Sequence, residues 1–385
     1  MALLTLPVVA PLVGRSLDIS TSYVGIYVAL VYLGAMTASL VSGAAVRRFG
    51  AIRLSQFGLG ACAIGLLLCA VPWLPAIIVG AALIGIGYGP ITPASSHLLV
   101  RTTPANRMSL VFSLKQTGVP LGGALAGVIV PTLAGYVSWQ GAFMIVAAIT
   151  VLCIVLVQPL CATLDADRDV TQPLSFGNGL SAPLRLVLGQ RPLRLLAICS
   201  FMFSICQLSL TTYLVTYLNQ DMSMSLILAG LVLGIAQAAG VAGRMLWGWV
   251  SDRFLGAPRM LAALGALIIL SSIAIALLPV TAPLVLICVL VSLLGASAIG
   301  WNGVYLAEVA RQAPKGQTGL ATGGALAFTF LGVVVGPPLF GLIAALSGSY
   351  GMAYAALTVP GLVCLWVMWR CRAVFDARSS GANTT

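Results

Sequence analysis

Side chains able to do chemistry are sparse in this chain, and Lys115 is the sharpest of them. It lies eight residues beyond Arg107 in a long apolar run, so a helix would carry it about 12 Å past that arginine. In a hydrocarbon layer about 30 Å thick, an ammonium at that depth is costly unless it faces a polar cavity or a partner. Attraction of an anion is the role that follows, with Gln116 and Thr117 beside it as hydrogen-bonding groups. The competing reading is a lysine whose four-carbon stem returns its charge to the surface.

A second constellation is ionic. Glu308 and Arg311 are three residues apart and share a helix face, and Asp252, Arg253 and Arg244 sit near the end of another apolar run. Such a set can latch one helix end to another. Read blandly, it is a group of solvated loop charges worth little energetically, and a third reading makes Glu308 a proton-coupling acid. Asn302, next to Trp301 and flanked by Gly300 and Gly303, and Gln207 can hydrogen-bond either a solute or a neighbouring helix. Tyr88, Tyr305 and Tyr27 are candidate cavity liners, against the commoner roles of packing and interface anchoring. His97 is the one histidine; it can titrate, but so near a helix end it is more often structural. The nine cysteines show no metal-ligand spacing and fall almost entirely in apolar runs, as small buried hydrophobes do. There is no phosphate-cradling Gly-Lys-Ser/Thr loop and no Ser/His/Asp set, so neither an enzyme nor an ATP-driven pump is expected, and no cofactor.

These side chains are carried on elements of one kind. Of the 385 residues, 60% are apolar and only 7% charged, with a mean hydropathy of +1.08; soluble domains carry about 25% charged residues. Long continuous apolar runs read as membrane helices rather than barrel strands. Twelve spans are predicted: Ala2 to Val13, Tyr23 to Val46, Leu54 to Val71, Pro75 to Val100, Met108 to Leu133, Trp139 to Ala162, Leu193 to Tyr217, Ser225 to Val250, Met260 to Leu278, Ala282 to Val309, Thr318 to Leu346 and Tyr350 to Trp369. The first offers only a dozen residues: either the true start lies upstream or this span is incomplete. No basic region precedes it, which argues against a signal peptide. The pairs Gly118/Gly122, Gly123/Gly127, Gly230/Gly234 and Gly332/Gly336 are spaced to let helices approach closely.

The 19 basic residues are spread between the spans rather than gathered in a nucleic-acid-binding patch. They occupy alternate loops: Arg47, Arg48 and Arg53; Arg101 and Arg107; Arg185, Arg191 and Arg194; Arg253 and Arg259; Arg311 and Lys315; then Arg370, Arg372 and Arg378. By the positive-inside rule both termini and the central loop face the cytoplasm. The polar stretch 163–192 divides residues 1–162 from 193–371, leaving a tail at 372–385. It reads as a cytoplasmic linker between two bundles that move against each other.

The halves repeat one another. Gly43-Ala44-Ala45-Val46-Arg47-Arg48-Phe49 recurs as Gly248-Trp249-Val250-Ser251-Asp252-Arg253-Phe254, Arg101-Thr102-Thr103-Pro104 as Arg311-Gln312-Ala313-Pro314, and Gly118, Gly122 and Gly127 align with Gly332, Gly336 and Gly341. Both copies keep one orientation, as in parallel six-helix repeats. On these residues the chain resembles the major facilitator superfamily over essentially its whole length. That family's signature after the second span is Gly, three residues, an acid, a base and an aromatic. Gly248, Asp252, Arg253 and Phe254 fit it; the first half places Arg47 where the acid belongs. The resemblance implies an all-α membrane fold of twelve helices in two pseudo-symmetric bundles, working by alternating access around a midplane cavity lined by spans 1, 4, 7 and 10. It also implies that Asp252, Arg253, Glu308, Arg311 and Arg244, with Arg47, Arg48 and Arg101 in the first half, form latches that pair and part as the cytoplasmic side closes and opens. Gly118-Val119-Pro120 resembles a loosened form of the Gly-Pro motif of proton-coupled drug exporters.

The expectation is therefore a monomeric secondary transporter of a plasma (inner) membrane. It takes a small organic anion such as a carboxylate, through Lys115, Gln116, Asn302, Tyr305, Gln207 and Tyr88, with a proton or a counter-transported anion as coupling partner. The rivals are efflux of hydrophobic or cationic compounds and, more remotely, a non-transporting receptor on the same scaffold.

Overall fold

The computed structural model describes the backbone of residues 1–102, 108–166, 168–171, 181–314 and 318–370, with side chains throughout except at 40, 41, 43, 44, 47, 96, 100, 101, 108–114, 116, 181, 182 and 318–320. The described residues form helices and no strands. Eleven helical segments among them are long and apolar enough to cross a membrane. The predicted first span is not one of these: Ala2–Leu4 is a 3-10 turn, Thr5–Val8 a single helical turn, and only Ala10–Leu17 (α1) runs further.

The chain divides into two compact units, Met1–Gly177 and Asn178–Thr385. In the first, α1 is followed by α2 (Val24–Phe49), α3 (Ala51–Cys69), α4 (Leu74–Tyr88), α5 (Ile91–Thr102), α6 (Met108–Tyr136) and α7 (Trp139–Val157). In the second come α8 (Ser181–Gly189), α9 (Arg191–Gln220), α10 (Leu226–Val250), α11 (Ala257–Ala276), α12 (Leu284–Gly300), α13 (Asn302–Gln312), α14 (Thr318–Ser347), α15 (Tyr350–Ala356) and α16 (Thr358–Arg370). The fourth, tenth and twelfth predicted spans are thus each interrupted by one or two turn residues, at Gly89 and Pro90, at Trp301 and at Leu357, while the backbone of Gly89, Trp301 and Leu357 stays in the helical region. The predicted linker also holds α8, which the sequence reading missed: Val187 is fully buried, and a Cβ on Gly324 would strike the Pro183 carbonyl and approach Val187 Cγ2 to 2.8 Å.

Close helix contact is made through glycine, as expected where packing rather than hydrophobicity drives association. A Cβ on Gly332 or Gly336 of α14 would run into Phe201 or Ile205 of α9. A Cβ on Gly240 or Gly243 of α10 would meet Ile299 or Ala296 of α12 at 2.6–2.7 Å. The pairing expected of Gly118 and Gly122 is not found among the described residues: none lies within 4 Å of a Cβ at Gly118, and a Cβ at Gly122 meets only Met1 among them. Six cysteines, among them Cys62, Cys206 and Cys364, are buried.

The two halves echo each other at their turns. Ser138 caps α7 through the Gly141 amide, and Ser349 caps α15 through the Gly351 amide. Gly50 (φ +93°) and Gly256 (φ +73°) take the same left-handed corner, before α3 and α11 respectively. Glycine enters that region without the Cβ penalty that other residues carry.

Candidate functional site

The interruptions of the fourth and tenth spans fall at equivalent places, since α5 begins at Ile91 and α13 at Asn302, spaced like the capping serines (138 and 349). In the first unit the cause is proline. Pro90 and Pro93 carry no N–H, so two rungs of the helical ladder are lost within four residues. The second unit has no proline there. Donors from α10 instead reach carbonyls of α12 just before the break: Trp247 Nε1 donates to Ala296 O (2.8 Å) and Arg244 Nε to Ile299 O (3.2 Å). Side chains entering a helical ladder in this way are a recognised cause of kinks.

A polar side chain from the next packed helix engages each break. Lys115 of α6, half-buried, donates from Nζ to the carbonyl of Thr92 (3.1 Å), two residues past Pro90. Gln207 of α9 accepts two bonds on Oε1, from Trp301 Nε1 (3.1 Å) and from Asn302 Nδ2 (3.2 Å). That double acceptance fixes which end of the amide is oxygen, and it leaves the amide nitrogen as the donating end. In the second unit the structure therefore brings Gln207 and Asn302 together. Trp301 and Tyr305 are wholly buried, Trp301 stacking on Phe203 (centroids 5.3 Å apart) and tilting on Tyr305 (5.1 Å). Tyr305, expected to meet a solute, lies in this structure inside the second unit. Tyr88 ends α4 and packs edge-on against Tyr32 (6.1 Å). Tyr27 is likewise buried. The side chain of Gln116 lies outside the described residues.

The expected ionic set is partly assembled. Arg311 reaches Asp252 at 3.6 Å and Glu308 at 3.5 Å, and Gln312 Nε2 donates to the other Glu308 oxygen (2.8 Å). Glu308 is 3% exposed, whereas Arg311 is half exposed and Asp252 mostly so. The inner pair therefore counts for more than the outer one. Arg253 is exposed on the same turn as Asp252. Arg48 lies over the Phe49 ring, 5.7 Å from its centroid. The side chains of Arg47 and Arg101 lie outside the described residues.

Two acids mattered more than the sequence suggested. Asp221 binds the start of α15, accepting from the amides of Tyr350 (2.8 Å) and Gly351 (3.3 Å) and from the Ser349 hydroxyl (3.2 Å). Asp165, near the start of the polar stretch 163–192, is 3% exposed and accepts from the amides of Ile52 (2.8 Å) and Arg53 (2.9 Å). The sequence held one signal for Asp165: three arginines around the α2–α3 turn with no acid among them.

Described residues that are helical throughout their regular structure, with eleven segments long and apolar enough to cross a membrane and polar side chains at matching interruptions, are those of a multi-pass membrane protein of the transporter type. The chain belongs to the major facilitator superfamily, whose sequence profile it matches over residues 1–323. Among similar proteins are a hexuronate transporter of Bacillus subtilis (24% identical, covering 64% of this chain and 60% of that one) and a gentisate transporter of Corynebacterium glutamicum (27%, covering 85% and 72%). A benzoate transport protein of Acinetobacter baylyi is 23% identical, covering 73% of this chain and 65% of that one. The match thus spans between three fifths and three quarters of these relatives' lengths. The fold is shared with a POT family transporter in complex with 5-aminolevulinic acid, at a TM-score of 0.75 and 15% identity over 98% of this chain and 94% of that one.

Proposed function

We propose that this protein is a secondary transporter of a small organic anion, a carboxylate, working by alternating access. The observation that carries the reading is Lys115: a cation one helix away from the α4–α5 break, with its ammonium on the Thr92 carbonyl. Discontinuous helices at matching places in two halves are where transporters of several folds hold their solutes. In this reading Lys115 attracts the carboxylate, and Gln207 and Asn302 offer amide groups at the matching break of the second unit. The printed names of the relatives lend support, since hexuronate, gentisate and benzoate are all organic acids. Residues 1–162 and 193–371 act as the two moving bundles, the membrane is the plasma (inner) membrane, and both termini face the cytoplasm. Glu308, with Arg311 and Asp252, forms the latch, and Glu308 is also the acid through which a coupling proton would enter.

The test is thermal unfolding of the purified protein with small carboxylates, sugars and hydrophobic cations, with Lys115→Gln alongside. A ligand held only by the folded protein raises its stability by mass action, by about 2.7 kcal/mol at a hundred times its Kd. Stabilisation by a carboxylate that Lys115→Gln abolishes is the expected result, and that compound then enters liposome flux assays. Stabilisation by cations alone, equal in the variant, would overturn the reading and favour efflux.

A further inference from the structure

The α2–α3 turn of the first unit has a vacancy that its counterpart lacks. In the second unit the turn after α10 carries Asp252, whose carboxylate meets Arg311 at 3.6 Å. At the matching position the first unit has Arg47, and Arg48 and Arg53 add two more cations close by. Helix α3 then starts at this turn with Gly50 as its N-cap, as α11 starts at Gly256, and neither glycine has a side chain to satisfy the first free amides.

We infer that Asp165 supplies from the end of the sixth span the acid that the α2–α3 turn lacks, and so is a positioning residue of the first bundle's cytoplasmic face. Its two oxygens divide the two amides that an N-cap side chain would take, Oδ1 accepting from Ile52 and Oδ2 from Arg53. An anion at a helix N-terminus also meets the positive end of the helix dipole. Gly50 makes the approach possible: a Cβ there would overlap the Asp165 carboxyl group. The contact does not stand alone. Gln56, one turn further along α3, donates from Nε2 to Gln158 Oε1 (2.8 Å) and to the Ile154 carbonyl (3.0 Å), and Cys161 Sγ lies 3.4 Å from Gln56 Oε1. Thus α3 is fastened along its first turns to the end of α7 and to the residues that follow it. Arg168 is drawn into the same turn, its amide donating to the Asp165 carbonyl (3.2 Å).

The halves therefore treat one turn in two ways. In the second unit the acid belongs to the turn and reaches the end of α13. In the first it comes from 112 residues away and ties the turn to the head of the linker. The first residues of the linker, Thr163 to Asp165, are thereby held to the first unit.

Hydrogen exchange and limited trypsin digestion of the full-length protein in detergent test this. Asp165→Ala should speed exchange of the Ile52 and Arg53 amides by roughly tenfold, the factor that corresponds to losing about 1.4 kcal/mol. Asp165→Asn, which keeps one acceptor oxygen, should fall between, and keeps the test open if the alanine variant does not fold. Trypsin should cut after Arg168 faster in both variants, with cleavage after Arg185 unchanged. Gly50→Ala provides a second arm. Its cost in thermal stability should be smaller in the Asp165→Ala background than in wild type, because only the left-handed backbone strain remains once the carboxyl is gone. Unchanged exchange at residues 52 and 53, or a strictly additive Gly50/Asp165 pair, would overturn the assignment.

Discussion

At the scale of single residues, the side chains with most at stake are those whose partners were invisible in the sequence. Gln207 and Asn302 each stand out as polar groups within apolar runs, but nothing in their spacing says that they meet. They lie 95 residues apart, and only helix packing brings them together. Trp301 is the reason the pairing matters. Its indole N–H is buried, and Gln207 is its acceptor. Leaving a buried donor unpaid costs about 1–3 kcal/mol, whereas removing both partners costs much less. Gln207→Leu should therefore lower thermal stability markedly, and Gln207→Leu combined with Trp301→Phe should recover part of the loss; a double-mutant cycle by thermal unfolding measures both. Lys115 was legible as a buried cation. That its ammonium settles on the Thr92 carbonyl, just past the α4–α5 interruption, was not, because apolar composition alone does not show where a span is interrupted.

Among the elements, the spans themselves were easily read and their interruptions were not. Apolar runs of spanning length mark membrane helices by composition alone, and the all-helical fold followed directly from them. The breaks escaped for two reasons. Membrane helices tolerate proline, so Pro90 and Pro93 carried no clear signal. Trp301 is no helix breaker at all, and its break coincides with donors arriving from α10. Glycine spacing misled at Gly118 and Gly122 and served at Gly332 and Gly336, since spacing shows where helices can approach and not which ones do. Gly332→Ala should destabilise the protein, because its new methyl would strike the Phe201 carbonyl. Gly118→Ala should be neutral, or stabilising by up to about 1 kcal/mol through helix propensity, given the open space around it. Thermal unfolding of the two variants side by side checks the contrast.

For the molecule as a whole, the alternation of basic and uncharged loops leads to a topological prediction independent of any substrate. A fluorescent protein fused after Thr385 should be fluorescent in cells, and a phosphatase active only outside the cytoplasm should be silent at the same position. The reverse pattern would invert the orientation argued from the arginines. Family membership was legible at this scale because it rests on a repeated motif and a count of apolar runs, both properties of the chain as written. The identity of the cargo was not, since it depends on which side chains face a shared space.

The paired breaks also carry a record of descent. Gly89 and Gly300 occupy the same place in the two halves, each packed against the second helix of its own bundle: Gly89 on Ala35, and Gly300 on Gly243 and Trp247. The residue after each glycine has diverged completely, proline in one copy and tryptophan in the other. One copy writes its joint into a covalent ring, and the other borrows it from a neighbour's indole and guanidinium. If both copies arose from one ancestral bundle, the joint has outlived the residues that first made it. What was inherited is the place of the interruption, and each half has learned to spell it in its own letters.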